Sequence, residues 1–120
     1  MIPNKPDHPF VYWAGLSYME ELLQAGVKFY TYEKGFLHSK VIIMDDFLSS
    51  VGTANLDIRS FKLNFEVNAF IYDDITNLKL TDQFKVDLIE CKEITLEEYE
   101  KRPRIVKIKE SISRLLSPIL

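Results

Sequence analysis

Cys91 is the only cysteine among 120 residues, so no disulfide can form within the chain and its thiol content points to no oxidising compartment. A cytosol-facing location is the expectation. Glycine is sparse, with four residues beside five prolines, which excludes collagen-like and low-complexity classes. No apolar run approaches the ~18–20 residues of a membrane span. The opening "MIPNKPDHPF" has neither the basic region nor the apolar core of a signal peptide. By itself the chain is not expected to cross a bilayer. An excess of basic charge is missing too: the formal net charge is −3, so the basic footprint of a general nucleic-acid binder is absent and nucleic acid is not an expected partner.

What is present is the composition of a globular protein, 47% apolar and 28% charged, with a length that suits one domain over residues 1–120. The charge is segregated. Residues 1–72 carry 6 basic and 8 acidic side chains, residues 73–100 carry 3 and 9, and residues 101–120 carry 6 and 1.

Three prolines in "MIPNKPDHP" remove backbone donors and predict a loop. "VYWAGLSYMEELLQAG" places Trp13, Leu16, Met19, Leu22 and Leu23 at helical spacing and stops at Gly26. "VKFYTYE", "FLHSKVIIMDD", "FLSSVG" and "NFEVNAFIYD" read as strands, and "NLDIRSF" as a helical turn. "DITNLKLTDQFKVDLIECKE" reads as an amphipathic helix, which includes Cys91 and sets Ile75, Leu78, Phe84 and Leu88 on its apolar side. "TLEEYEKR" carries a cap at Thr95 with Glu98 in the capping-box position, and "PRIVKIKESISRLLSPIL" is a last helix stopped near Pro118. In the second strand Val41 and Ile43 alternate with Ile42 and Met44. Apolar residues on both faces predict a central strand covered on both sides, hence an α/β fold: a partial α-β-α sandwich with a mixed sheet of about four strands between an N-terminal helix and C-terminal helices.

Within that second strand His38 and Lys40 are two residues apart, which places an imidazole and an ammonium on one face. Burying ionisable groups is costly unless they are paired or used. "GTAN" follows, bringing the Thr53 hydroxyl and the Asn55 amide toward the same patch. Glu66 and Asn68 share a face of the fourth strand, where a carboxylate is placed to accept a proton from His38. This set suits a phosphate diester. Lys40 neutralises charge, Asn55 and Thr53 donate to non-bridging oxygens, and His38 supplies the nucleophile or the acid. Carboxylates that would hold a hard cation are few, so neither metal nor cofactor is expected.

His38-x-Lys40, four residues and Asp45, with "GTAN" close behind, resembles the HxKxxxxD and GSxN signature of the phospholipase D superfamily. The run "VGTANLDIRSFKLNFEVNAFIYD", with "IPNKPDHPFVYWA" before it and "ESISRLLSPIL" after it, looks like the C-terminal part of the bacterial cardiolipin synthases. The resemblance implies the phospholipase D fold and transfer of a phosphatidyl group between two phosphatidylglycerol molecules through a phosphohistidine. His38 would be either the nucleophile or the acid. Lys40 and Asn55 would bind phosphate, Glu66 would orient His38, and Asp45 would hold the loop after the strand. Thr53 replaces the usual serine and keeps the hydroxyl.

The reaction in that family needs two such motifs, and this chain has one. In relatives of this kind the other motif lies in an N-terminal half, after membrane-spanning helices. The expectation is therefore a piece of a longer membrane enzyme, cut inside its second catalytic lobe. Its partner would be that N-terminal half or a second copy of itself.

Other residues read two ways. His8 in "PDHP" serves a substrate loop or is a plain loop residue, and Arg59 holds a phosphate or pairs with Asp57 or Glu66. Phe10, Tyr12, Trp13 and Tyr18 pack the first helix or lean on lipid. In residues 101–120, Ile105, Ile108, Ile112, Leu115 and Leu116 form a stripe beside Lys107, Lys109 and Arg114. Such a basic amphipathic helix docks its stripe on the domain or meets an anionic membrane surface.

Overall fold

The computed structural model describes residues 1–4 and 8–117. In chain order the elements are β1 (Ile2–Pro3), α1 (Pro9–Ser17), α2 (Met19–Gln24), β2 (Phe29–Tyr32), β3 (Lys40–Met44), β4 (Leu48–Gly52), α3 (Ile58–Lys62), β5 (Asn68–Ile71), α4 (Asp74–Ile89), β6 (Cys91–Ile94), α5 (Leu96–Glu100) and α6 (Arg104–Leu116). The α/β class is as expected. The described strands form two three-stranded sheets, however, rather than one of about four: β1-β2-β6 and β3-β4-β5.

Local chemistry explains most boundaries. Pro9 opens α1, where its missing N–H costs nothing. The expected first helix breaks at Tyr18 into α1 and α2. Gly26, at φ 87°, closes α2: its N–H reaches the Leu23 carbonyl (3.0 Å) and that of Val27 the Leu22 carbonyl (2.9 Å), a Schellman ending. Asp57, Asp73 and Thr95 cap α3, α4 and α5 by accepting from the backbone N–H of Ser60, Thr76 and Glu98. Glu98 answers Thr95 as the capping box requires: its carboxylate pairs with Lys92 (3.0 Å) while also accepting from the Thr95 backbone N–H, and the two hold it below the usual carboxylate range. Asp45 and Asp46, at φ 51° and 58°, form a type I′ turn closed by the Phe47 N–H on the Met44 carbonyl (3.3 Å).

Several sequence expectations are corrected. Ile2–Pro3, expected as loop, pairs in parallel with Thr31 and Tyr32. Cys91 lies on β6, not on a helix, because "CKEI" pairs antiparallel with β2. The strand β3 is an edge of its sheet, not its centre, with Val41 40% and Ile42 47% exposed. On α4, Ile75 and Leu78 point outward while Asn77 is fully buried, its amide donating to the Ile71 carbonyl. The expected stop at Pro118 lies outside the described residues.

Buried apolar side chains among the described residues are few: Ala14, Met19 and Tyr99. Tyr99 ties α5 to α1 by donating to the Leu16 carbonyl (2.6 Å). No described helix is long and apolar enough to cross a membrane.

Candidate functional site

The site is built on the antiparallel meander β3-β4-β5. Its register puts Lys40 opposite Gly52, and Gly52 opposite Asn68. Directly paired residues share a face, so Lys40 and Asn68 stand on one face of the sheet with a bare glycine between them. The Asn68 side chain straddles that glycine: its Nδ2 donates to Ser50 Oγ (2.9 Å) and its Oδ1 accepts from the Ala54 N–H (3.2 Å). A Cβ on Gly52 would collide with the Val67 carbonyl oxygen and the Asn68 side chain. Close approach, not backbone conformation, requires glycine there.

His38 precedes β3 instead of lying on it, so the period-two argument does not place its side chain. Its ring stacks on Phe36, centroids 5.6 Å apart and planes 14° from parallel. Its carbonyl accepts from Lys40 Nζ (3.1 Å), which ties the two residues together through main chain. His38, Lys40, Asn55 and Asn68 line one cleft of about 1370 Å³. His8, at the N-cap position of α1, lines the same cleft. Apolar side chains line it as well, Val11, Leu16 and Leu22 of α1–α2 and Ile42, Met44 and Phe70 of the sheet.

Beside the cleft lies a hydrogen-bonded support in which Ser60 and Asn64, residues that the sequence did not single out, meet Asn55 and Glu66. The Ser60 hydroxyl, on a residue 6% exposed, donates to Glu66 Oε1 (2.9 Å) and accepts from the Asn55 N–H (3.2 Å). Asn64 Nδ2 donates to the same Glu66 oxygen (3.2 Å). Thr53 exchanges bonds with Val67, its hydroxyl accepting from the Val67 N–H (2.9 Å) and its own N–H reaching the Val67 carbonyl (3.0 Å). Donors from Thr53, then Ser60 and Asn64, hold the Glu66 carboxyl below the usual carboxylate range, with the Lys40 charge adding to the effect. Glu66 therefore stays anionic within a frame that also fixes Asn55. It precedes β5, so it shares no strand face with Asn68.

Arg59 pairs with neither Asp57 nor Glu66: its Nε donates to Asn64 Oδ1 (3.1 Å), one residue removed from Glu66. Asp45 sits at the opposite end of β3 from Lys40, in the I′ turn. Among the described residues no group of three or more His, Cys, Asp or Glu side chains is placed to hold a metal ion. Ser60 and Asn64 had a signal in "DIRSFKLNFE", namely polar residues at fixed offsets from Glu66, but only the fold of α3 shows which of them face it.

Fold and site together define an α/β lobe that presents an HxK pair and a GTAN turn to one cleft. The chain belongs to the family described as cardiolipin synthase, PLD-like domain, whose model matches residues 1–88. It is 62% identical over its whole length to the major cardiolipin synthase of Bacillus subtilis, covering 25% of that protein. It is 55% identical over its whole length to cardiolipin synthase 1 of Staphylococcus epidermidis and to the cardiolipin synthase of Oceanobacillus iheyensis, covering 24% and 25% of them. The chain thus spans about a quarter of the length of the curated relatives it matches. No solved structure matches it.

Proposed function

We propose that the chain is one catalytic lobe of a cardiolipin-forming phosphatidyltransferase acting on phosphatidylglycerol at an anionic cell membrane. The observation that carries this reading is the meeting of His38, Lys40 and Asn55 at one cleft that apolar side chains also line. Lys40 and the Asn55 amide neutralise and bind the phosphate oxygens, with Thr53 beside them. His38 supplies either of the two imidazoles that the chemistry uses. One imidazole nitrogen attacks phosphorus, the bond from phosphorus to the glycerol oxygen breaks, and glycerol leaves with a proton from the second imidazole. The terminal hydroxyl of another phosphatidylglycerol then attacks the phosphohistidine. Its proton goes to the second imidazole, the P–N bond breaks, and cardiolipin is released. Glu66, held anionic by its donors, stabilises positive charge near Lys40 and His38; Asn68 fixes the GTAN turn; Asp45 shapes the turn after β3. Arg59 and His8 act at the cleft margin on the departing or entering headgroup.

The second imidazole comes from another polypeptide segment bearing its own HxK pair, either the N-terminal half of a longer enzyme or a second copy. Support comes from the fourfold greater length of the relatives and from exposed apolar residues around α3 and β5, namely Leu56, Phe61, Phe65 and Val67. The basic end of the lobe carries the amphipathic helix α6, Arg104–Leu116.

The test is a chimaera in which this chain replaces the matching quarter of the Bacillus subtilis relative. With phosphatidylglycerol vesicles it is expected to form cardiolipin and release glycerol in equal amounts. Hydrolysis of phosphatidylcholine or of single-stranded DNA without lipid transfer would overturn the reading and assign a phospholipase or nuclease. Cardiolipin formation by the 120-residue chain alone is expected to be undetectable; activity growing with the square of its concentration would assign the second imidazole to a second copy.

A further inference from the structure

The last helix sits on the molecule the opposite way from an ordinary amphipathic helix. Its polar and small face is turned inward: Glu110 is 4% and Ser113 0% exposed, against α1 and the end of α5. Its apolar stripe is turned outward, with Ile105 60%, Ile108 55%, Ile112 52% and Leu115 83% exposed. A helix normally buries such a stripe in its own core.

Polar contacts hold this orientation. Arg102 forms an ion pair with buried Glu110, places its guanidinium 3.3 Å from the Tyr99 ring centroid, and donates from Nε to the Tyr99 carbonyl (2.7 Å). Arg114 reaches Glu21 (2.8 Å) and lies 4.5 Å over the Tyr18 ring. Rolling α6 to bury its isoleucines would strand Glu110, its only carboxylate, away from Arg102.

The outward surface is therefore apolar at its centre and cationic at its edges. Arg104 and Lys107 border the stripe on one side and line a shallow depression with Ile108 and Ile112. Lys109 borders the other side and lies 5.0 Å over the Trp13 ring, which in turn meets exposed Phe10 edge-on. No acidic side chain of α6 faces outward.

We infer that α6 is a docking helix for an anionic lipid surface, lying in the plane of the bilayer with Ile105, Ile108, Ile112 and Leu115 among the acyl chains and Arg104, Lys107 and Lys109 at the headgroups. The chemistry at both depths agrees. An apolar stripe about 15 Å long gives the buried area, cations at its rim match lipid phosphates, and Trp13 sits where aromatic rings collect at a membrane interface. A protein partner covering the stripe would have to answer the same rim with acidic side chains. The helix uses no residue of the phosphate cleft, so this inference stands or falls apart from the proposed reaction.

The full 120-residue chain, mixed with vesicles of phosphatidylcholine alone or with phosphatidylglycerol added, tests it. Expected is co-sedimentation with the phosphatidylglycerol vesicles only, weakened by salt, with a blue shift of Trp13, the single tryptophan. The double variant Ile108→Asp/Ile112→Asp should lose at least tenfold in partitioning, and Arg104→Gln and Lys107→Gln about fivefold each. Far-UV circular dichroism should stay unchanged, since all four positions are exposed. Lys85→Gln, at an exposed cation of α4 outside both the cleft and α6, should bind vesicles like the unsubstituted chain, which separates the helix from general surface charge. The inference is overturned if the double variant binds as well as the parent, or if phosphatidylcholine vesicles bind equally. It is also overturned if, without lipid, the chain self-associates through a contact that the double variant abolishes, which would assign the stripe to a second copy.

Discussion

Gly52→Ala is a change of one methyl group that should disable the site. A Cβ at this position would lie 2.6 Å from the Asn68 Cα and closer still to the Val67 carbonyl and the Asn68 side chain, whereas ordinary contact needs about 3.4–4 Å. Two of the three obstructing atoms are main chain, so no rotamer change relieves them; β5 must retreat from β4 by about 1 Å. That retreat stretches the bonds from the Thr53 N–H to Val67 (3.0 Å) and from the Ala54 N–H to Asn68 (3.2 Å). Overpacking costs about 1–3 kcal/mol and two weakened hydrogen bonds add about 1–2, so a loss of about 2–5 kcal/mol is expected. The effect on catalysis is larger in proportion, because the displaced turn carries Asn55 and a 1 Å error in positioning costs about 10²-fold. Cardiolipin formation by the chimaera described above, with a thermal melt alongside, measures both. Transfer within threefold of the parent at an unchanged melting temperature would refute the close approach between β4 and β5.

Ser60→Ala removes one of the donors that favour the Glu66 carboxylate, so the Glu66 pKa should rise toward the ordinary value of about 4.3. Because the folded-state pKa is depressed, the ionised frame persists down to that lowered pKa. In the variant it is lost sooner as pH falls, and the acidic limb of kcat/KM should move to higher pH, a shift that a purely structural role for Ser60 would not produce. Arg102→Ala leaves Glu110 buried without its partner and should cost about 3 kcal/mol, the low end for a buried pair because the Arg102 side chain is 19% exposed. Burial already pushes the Glu110 carboxyl up. In this variant the folded pKa rises further above the unfolded one, so thermal melts should show stability regained as pH is lowered from 7 toward 5.

The parts of this protein that were legible in the sequence are those set by near neighbours. Thr95 was read as a cap because a side-chain oxygen three residues ahead of a free N–H is a local arrangement; Asp57 and Asp73 cap α3 and α4 in the same way but were not singled out. The aspartate pair between β3 and β4 and Gly26 after α2 announced themselves for the same reason. Lys40, Asn55 and Asn68 were singled out because residue type and spacing pointed to phosphate chemistry, and they line one cleft. What the sequence hid is which face meets which partner. "CKEI" reads as the tail of a helix until β2 is there to pair with it. The isoleucines of α6 read either as a stripe docked on the domain or as one facing lipid, until the Arg102–Glu110 pair shows that the stripe is turned outward. The part of Ser60 depends on α3 carrying its hydroxyl to within reach of both Asn55 and Glu66, a relation between three segments that no single pattern encodes.

The central claim is that His38 is one of the two imidazoles carrying the phosphatidyl group or its proton. Its direct test is cardiolipin formation from phosphatidylglycerol by the chimaera carrying His38→Ala, with circular dichroism to establish that the lobe is folded. Loss of transfer by at least 10³-fold with unchanged vesicle binding is the predicted result. Cardiolipin formed within threefold of the unsubstituted rate would contradict it and place the chemistry elsewhere.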